Sequence, residues 1–132
     1  MTRNKGKVLR MSNKKILVVE DEKVLNSAYQ TILEKTGYDV RVAYDGNEAL
    51  EVLEEFSPDI ILLDLKMPNL DGIGFLKAYK ERDDKNRSKI ILFSNYDLQQ
   101  EIDEAYNLGA DKYVLKAWAS PKDLLKIIDE IK

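Results

Sequence analysis

A chain of 132 residues, 44% hydrophobic and 34% charged, suits one globular domain with a core of its own. A net charge of -3 offers no polyelectrolyte surface for nucleic acid, and the absence of cysteine excludes disulfides and thiolate chemistry. Histidine is absent too, which excludes Ser-His-Asp catalysis, histidine metal sites and an internal phosphohistidine.

Any chemistry must therefore rest on carboxylates, hydroxyls, lysines or a hard metal bound through oxygen. No apolar run reaches membrane-spanning length and no secretory core follows the basic start, so a cytoplasmic protein is expected, with no membrane partner. Residues 1–13, "MTRNKGKVLRMSN", are basic and without period. They read as a mobile tail, a nucleic-acid or membrane arm being the lesser alternative, and residues 14–132 read as the folded domain.

From there strand-like and helix-like segments alternate five times. "KKILVVED" is an apolar run closing on acids. "EKVLNSAYQTILEKTG" follows as a helix, with Val24, Leu25, Ala28, Ile32 and Leu33 on its apolar stripe and Gly37 as its stop. "YDVRVAY" alternates. "DGNEALEVLEEF" carries Ala49, Leu50, Leu53 and Phe56 on one face, and Asp45 with Glu48 resembles a capping box. "DIILLD" is continuously apolar until its last residue, and Ile73, Leu76 and Tyr79 share a face of the helix near Gly72 to Arg82. "KIILFSN" precedes "DLQQEIDEAYNLG", with Asp97 as the expected N-cap and Gly109 as the stop. "DKYVLKA" leads to "SPKDLLKIIDEIK", with Ser120 as N-cap and Pro121 in the first turn.

Five βα units in succession predict a parallel sheet with helices on both faces. The first, third and fourth strands are almost wholly apolar and belong at the centre. The second and fifth alternate, exposing Asp39 and Arg41 or Lys112 and Lys116, and belong at the edges. Among doubly wound orders, 2-1-3-4-5 satisfies that polarity, which gives a flavodoxin-like (βα)5 fold. Ligands of such sheets bind beyond the carboxyl ends of the strands, where the order reverses. That rule gathers Glu20, Asp21 and Asp64, with Ser94 and Lys116 at the ends of the fourth and fifth strands. Crowded carboxylates repel one another, and a hard dication relieves the repulsion. Oxygen-only ligands favour Mg²⁺, or Mn²⁺ in its place.

"ILVVEDE", "DLKMPNLDG", "FSN" and "YVLKA" together resemble the CheY-like receiver domain of two-component response regulators, over residues 15–132. The resemblance implies that Asp64 accepts a phosphoryl group from a sensor histidine kinase or a phosphotransfer protein. It implies that Asp21, Asp64 and the backbone carbonyl of Lys66 bind Mg²⁺, with Glu20 acting through water. Lys116 would pair with the phosphoryl oxygens, Ser94 would donate its hydroxyl to one of them, and Tyr113 would be the aromatic switch. The protein would signal without being a conventional enzyme, by docking to a downstream protein target or passing the phosphoryl group on. The helix near Leu98 to Leu108, the last strand and the last helix would form the docking face, with Tyr106, Tyr113 and Trp118 on or near it; half-buried packing is the first expectation for Trp118.

Three departures accompany the resemblance. Lys116-Ala117 stands where the family carries Lys-Pro with a cis bond; cis before alanine costs about 3–4 kcal/mol, so trans is expected. Glu20 replaces an aspartate, and Asn95 follows Ser94 where a small residue is usual. Because no residues remain for an output domain, a stand-alone receiver is the leading reading. A phosphorylation-independent module on the same fold and a haloacid-dehalogenase-like phosphatase are the alternatives. The phosphatase needs an acid two residues after its nucleophile, where Lys66 stands. Lys66 and Tyr96 are expected to border the path of attacking water, and therefore to give a slowly hydrolysing aspartyl phosphate.

Overall fold

The computed structural model describes residues 14–82, 87–95 and 98–131. Among these, strands β1 (Lys15–Val19), β2 (Asp39–Ala43), β3 (Ile60–Leu63), β4 (Lys89–Ser94) and β5 (Lys112–Leu115) alternate with helices. The helices are α1 (Lys23–Lys35), α2 (Gly46–Val52), α3 (Gly72–Lys80), α4 (Gln99–Asn107) and α5 (Pro121–Ile131), and a single 3₁₀ turn, Lys116–Trp118, follows β5. All pairings are parallel and the order is β2-β1-β3-β4-β5, as polarity predicts.

The central strands are apolar throughout because both of their faces are covered. Leu17, Val19, Ile61, Leu63, Ile90 and Leu92 pack with Ala49 of α2, Phe75 and Leu76 of α3 and Ala105 of α4. Ile16, Val18, Ile60, Leu62, Ile91 and Phe93 point the other way, onto Leu33 of α1 and Leu124 and Ile128 of α5. Each fully buried aliphatic side chain contributes about 1.5–3 kcal/mol, so the rigid part of the molecule is the sheet centre from which the acids project. On β2, Asp39 and Arg41 are exposed, as an edge requires.

The helix boundaries follow from local chemistry. The Glu48 N–H donates to Asp45 Oδ1 at 2.8 Å, and Glu48 Oε1 accepts from the Tyr44 N–H at 2.8 Å, so α2 is boxed at its start. Asp71 caps α3 by accepting from the Gly74 N–H at 2.8 Å. Ser120 and Asp123 cap α5 reciprocally, at 3.2 and 2.9 Å. Gly37 and Gly109, at φ 107° and 113°, stop α1 and α4 in the left-handed region.

Two expectations need correction. In α1, Val24 is 84% exposed and Ala28 also faces out; the inward residues are Asn26 and Leu33, with Tyr29 half-buried. The helix is rotated because Asn26 is needed inside: its Nδ2 donates to the carbonyls of Glu20 (3.0 Å) and Ala43 (3.1 Å), which end β1 and β2. Trp118 is 83% exposed, because the 3₁₀ turn after β5 carries it away from the sheet. Asp97, Tyr96 and residues 1–13 lie outside the described residues.

Candidate active site

The site is built by strand register. Val19 pairs with Leu63, so the next residues, Glu20 and Asp64, leave the sheet side by side at the point where the strand order reverses. Backbone bonds fix both: the Asp64 N–H donates to the Val19 carbonyl at 3.1 Å, and the Glu20 N–H to the Ala43 carbonyl at 3.0 Å. Carboxylate oxygens of Glu20, Asp21 and Asp64 lie within 4.8 Å of one another.

Lys116 leaves β5 through a trans bond to Ala117, as expected, and its ammonium reaches the acids. It donates to Glu20 Oε1 and, at 3.1 Å, to Asp64 Oδ2, and its side chain is 7% exposed. The edge pattern that would have exposed Lys116 therefore fails at this residue, because the charge of the acids draws it inward. Ser94 is fully buried at the end of β4, and the β3–β4 register places it one residue beyond the level of Asp64. The Lys66 N–H donates to Asp64 Oδ1 at 3.3 Å, while Lys66 Nζ bonds Glu101 Oε2 of α4 at 2.8 Å. Tyr113 is half-buried against the core on the α2–α3–α4 side.

Three carboxylates facing one ammonium leave the cluster negative by two charges. Burial pushes the Glu20 carboxyl above its ordinary range, against the pull of the Lys116 ammonium. Burial works against the charge of Lys116 as well, but the bond to Glu20 and the charge of Asp64 outweigh it and hold its proton more tightly than in a free lysine. An all-oxygen donor set with excess negative charge fits a hard dication such as Mg²⁺.

The sequence-predicted residues Glu20, Asp21, Asp64 and Lys116 thus form one cluster, with Lys66 and Ser94 at its border and Tyr113 further along β5. Sequence reasoning missed four supporting residues. Asn26 ties the loop that carries the acids, and Asn69, at φ 66°, donates to Asp45 Oδ2 at 2.6 Å. A Cβ on Gly72 would come within 2.6 Å of the Asp64 carbonyl oxygen, so only glycine lets α3 start this close to Asp64. Glu101 holds Lys66. A polar residue inside an apolar helical register was the available signal for Asn26; Glu101 left none.

Fold and site together define a doubly wound α/β domain with an acid pocket and a buried lysine. The profile of the response regulator receiver domain matches residues 16–129, and the chain belongs to that family. It is 40% identical over 112 residues to the alkaline phosphatase synthesis transcriptional regulatory protein PhoP of Bacillus subtilis, a match covering 85% of this chain and 45% of that protein. The chain thus spans about half the length of that relative. A CheY-like response regulator receiver domain protein from Methanospirillum hungatei superposes with a TM-score of 0.80 at 34% identity, over 89% of this chain and 91% of the other. The receiver domain of sensor histidine kinase PA1611 from Pseudomonas aeruginosa, solved with a magnesium ion coordinated in its active-site cleft, gives 0.78 at 27%, over 89% and 96%. Receiver domains are signalling domains, not classical enzymes; they bind Mg²⁺ at an acidic site, are phosphorylated by histidine kinases and act on downstream targets. No helix among the described residues is long and apolar enough to cross a membrane.

Proposed function

We propose that Asp64 accepts a phosphoryl group from the phosphohistidine of a sensor kinase or phosphotransfer protein. The protein then docks to a protein target or passes the group on. The observation that carries this reading is the Lys116 ammonium held on both Glu20 and Asp64, with Asp21 in the same cluster.

An Asp64 carboxylate oxygen attacks phosphorus, the phosphorus–nitrogen bond of the donor breaks, and the imidazole leaves with its electron pair. Such transfer needs charge neutralisation and alignment more than an acid-base pair. Lys116 already touches the attacking carboxylate and follows the charge onto the phosphoryl oxygens. The Ser94 hydroxyl donates to one of those oxygens, and this movement opens space into which the Tyr113 ring turns. Asp21, Asp64 and the Lys66 carbonyl would hold Mg²⁺, with Glu20 acting through water; when bound, the ion would neutralise phosphoryl charge. The acid cluster and the magnesium ion of the Pseudomonas neighbour support that assignment. A haloacid-dehalogenase-like phosphatase wants a second aspartate two residues after the nucleophile; Lys66 stands there instead, its ammonium engaged by Glu101.

Incubation with a small acyl phosphate and Mg²⁺, read by intact mass, tests the reading. A persistent mass gain of one phosphoryl group is expected. Catalytic consumption of the donor without an adduct would point to a phosphatase, and an unchanged mass with intact donor to a phosphorylation-independent module.

A further inference from the structure

Lys66 is held at both ends. Its backbone N–H donates to Asp64 Oδ1, and its ammonium lies 2.8 Å from Glu101 Oε2 in the first turns of α4. The side chain therefore runs from the carboxylate at the end of β3 to the helix that follows β4, across the gap between those two loops. Glu101 Oε1 is buried and has no hydrogen-bond partner among the described residues. If Lys66 let go, Oε2 would lose its bond as well and the partly buried carboxylate would be left without this countercharge, which is costly in a low-dielectric setting. The neighbouring pair Lys77–Glu104 is a useful contrast: at 3.6 Å, with side chains 61% and 47% exposed, it is screened, whereas Lys66 and Glu101 are 39% and 24% exposed.

We infer that Glu101 is a positioning residue that pins Lys66 across the entrance to Asp64, where the pinned side chain limits the access of water to a bound phosphoryl group. This rests on the assignment of Asp64 as phosphoacceptor. Hydrolysis of an aspartyl phosphate requires a water oxygen to form a bond to phosphorus as the bond to the Asp64 oxygen breaks, with a proton leaving the water. That water must stand on the far side of phosphorus from Asp64. A lysine stem tied down at this border occupies part of the approach, and a protonated amine takes no proton from water. Glu101 bonds the Lys66 ammonium and acts through that side chain. A stem tied to Glu101 spends its time across the approach, whereas an untied one sweeps through solvent and leaves the path open.

The experiment is a double-mutant cycle on adduct lifetime. Wild type, Glu101→Gln, Lys66→Met and the double variant are phosphorylated with a small acyl phosphate and Mg²⁺, the donor is removed, and the decay is followed by intact mass. The lifetime should fall about threefold or more in Glu101→Gln, a factor that a partly exposed ion pair can sustain. Lys66→Met should shorten it comparably, and the double variant should decay no faster than Lys66→Met alone, because Glu101 has nothing left to position. A Glu101→Gln lifetime equal to or longer than wild type overturns the inference, and so do loss factors that multiply in the double variant. Failure of the wild type to form any adduct overturns the assignment of Asp64, and this inference with it.

Discussion

Replacing Asp21 with asparagine should stabilise the metal-free protein, although it removes a conspicuous site residue. Lys116 donates to Glu20 and Asp64, while the Asp21 carboxylate lies within 4.8 Å of both of those acids. At that separation each like-charge pair costs about 0.9 kcal/mol in bulk water and about 3.5 kcal/mol at an effective dielectric of about 20. Two repulsions are offset by at most one attraction, to the Lys116 ammonium that Glu20 and Asp64 already engage, so about one repulsion is left uncompensated. Asp21 is only partly buried, so the low end applies, and Asp21→Asn should gain about 1 kcal/mol, or about 3–5 °C in melting temperature for a domain of this size. The assay is thermal unfolding in a chelator and again with excess Mg²⁺. The wild type should gain stability from the ion, which binds only the folded state, and the variant should gain little or none. A variant that melts below wild type in chelator, or that still gains fully from Mg²⁺, would refute the crowding argument.

Lys116→Met leaves Glu20 and Asp64 buried without their countercharge and should cost about 3 kcal/mol by urea unfolding, part of which Mg²⁺ restores. Asp45→Ala removes the cap of α2 and should cost about 1–2 kcal/mol at neutral pH. The Glu48 N–H, followed by the Asn69 amide, holds the Asp45 carboxyl below its ordinary 3.8, so its stabilisation is present above pH 3.8 and is lost as pH falls through the lower folded value. The stability gap between wild type and Asp45→Asn should therefore close in strong acid; a gap unchanged down to the lowest folded pH would contradict the cap's charge. Ser94→Ala should still accept phosphate but respond weakly around Tyr113. Amide shifts there that match wild type on phosphorylation would break the coupling of Ser94 to Tyr113.

Much of the architecture is legible in the sequence because the determinants are local or periodic. Continuous apolarity marks β1, β3 and β4 as central, alternation puts β2 at the edge, and Asp45 and Ser120 start helices through contacts three residues away. The site follows as geometry, since parallel strands in that order deliver Glu20 and Asp64 to neighbouring ends. What fails is long-range. The apolar residues of α1 fit two adjacent faces, and the choice between them is made by Asn26 bonding to carbonyls at the ends of β1 and β2, one of them 17 residues away. The outward turn of Trp118 depends on the 3₁₀ turn, which no motif marks. The Lys66–Glu101 pair joins residues 35 apart in a charged chain where either had many candidate partners.

The central claim is that one carboxylate, Asp64, takes the phosphoryl group with the help of a metal bound beside it. Protein treated with a small acyl phosphate and Mg²⁺ can be reduced with borohydride, which converts a phosphorylated aspartate into homoserine, and then mapped by peptide mass. Homoserine at position 64 alone, absent when Mg²⁺ is chelated or when Asp64→Asn is used, is the predicted result. Homoserine at position 21 in place of 64, or equal labelling of Asp64 with and without the metal, would contradict it.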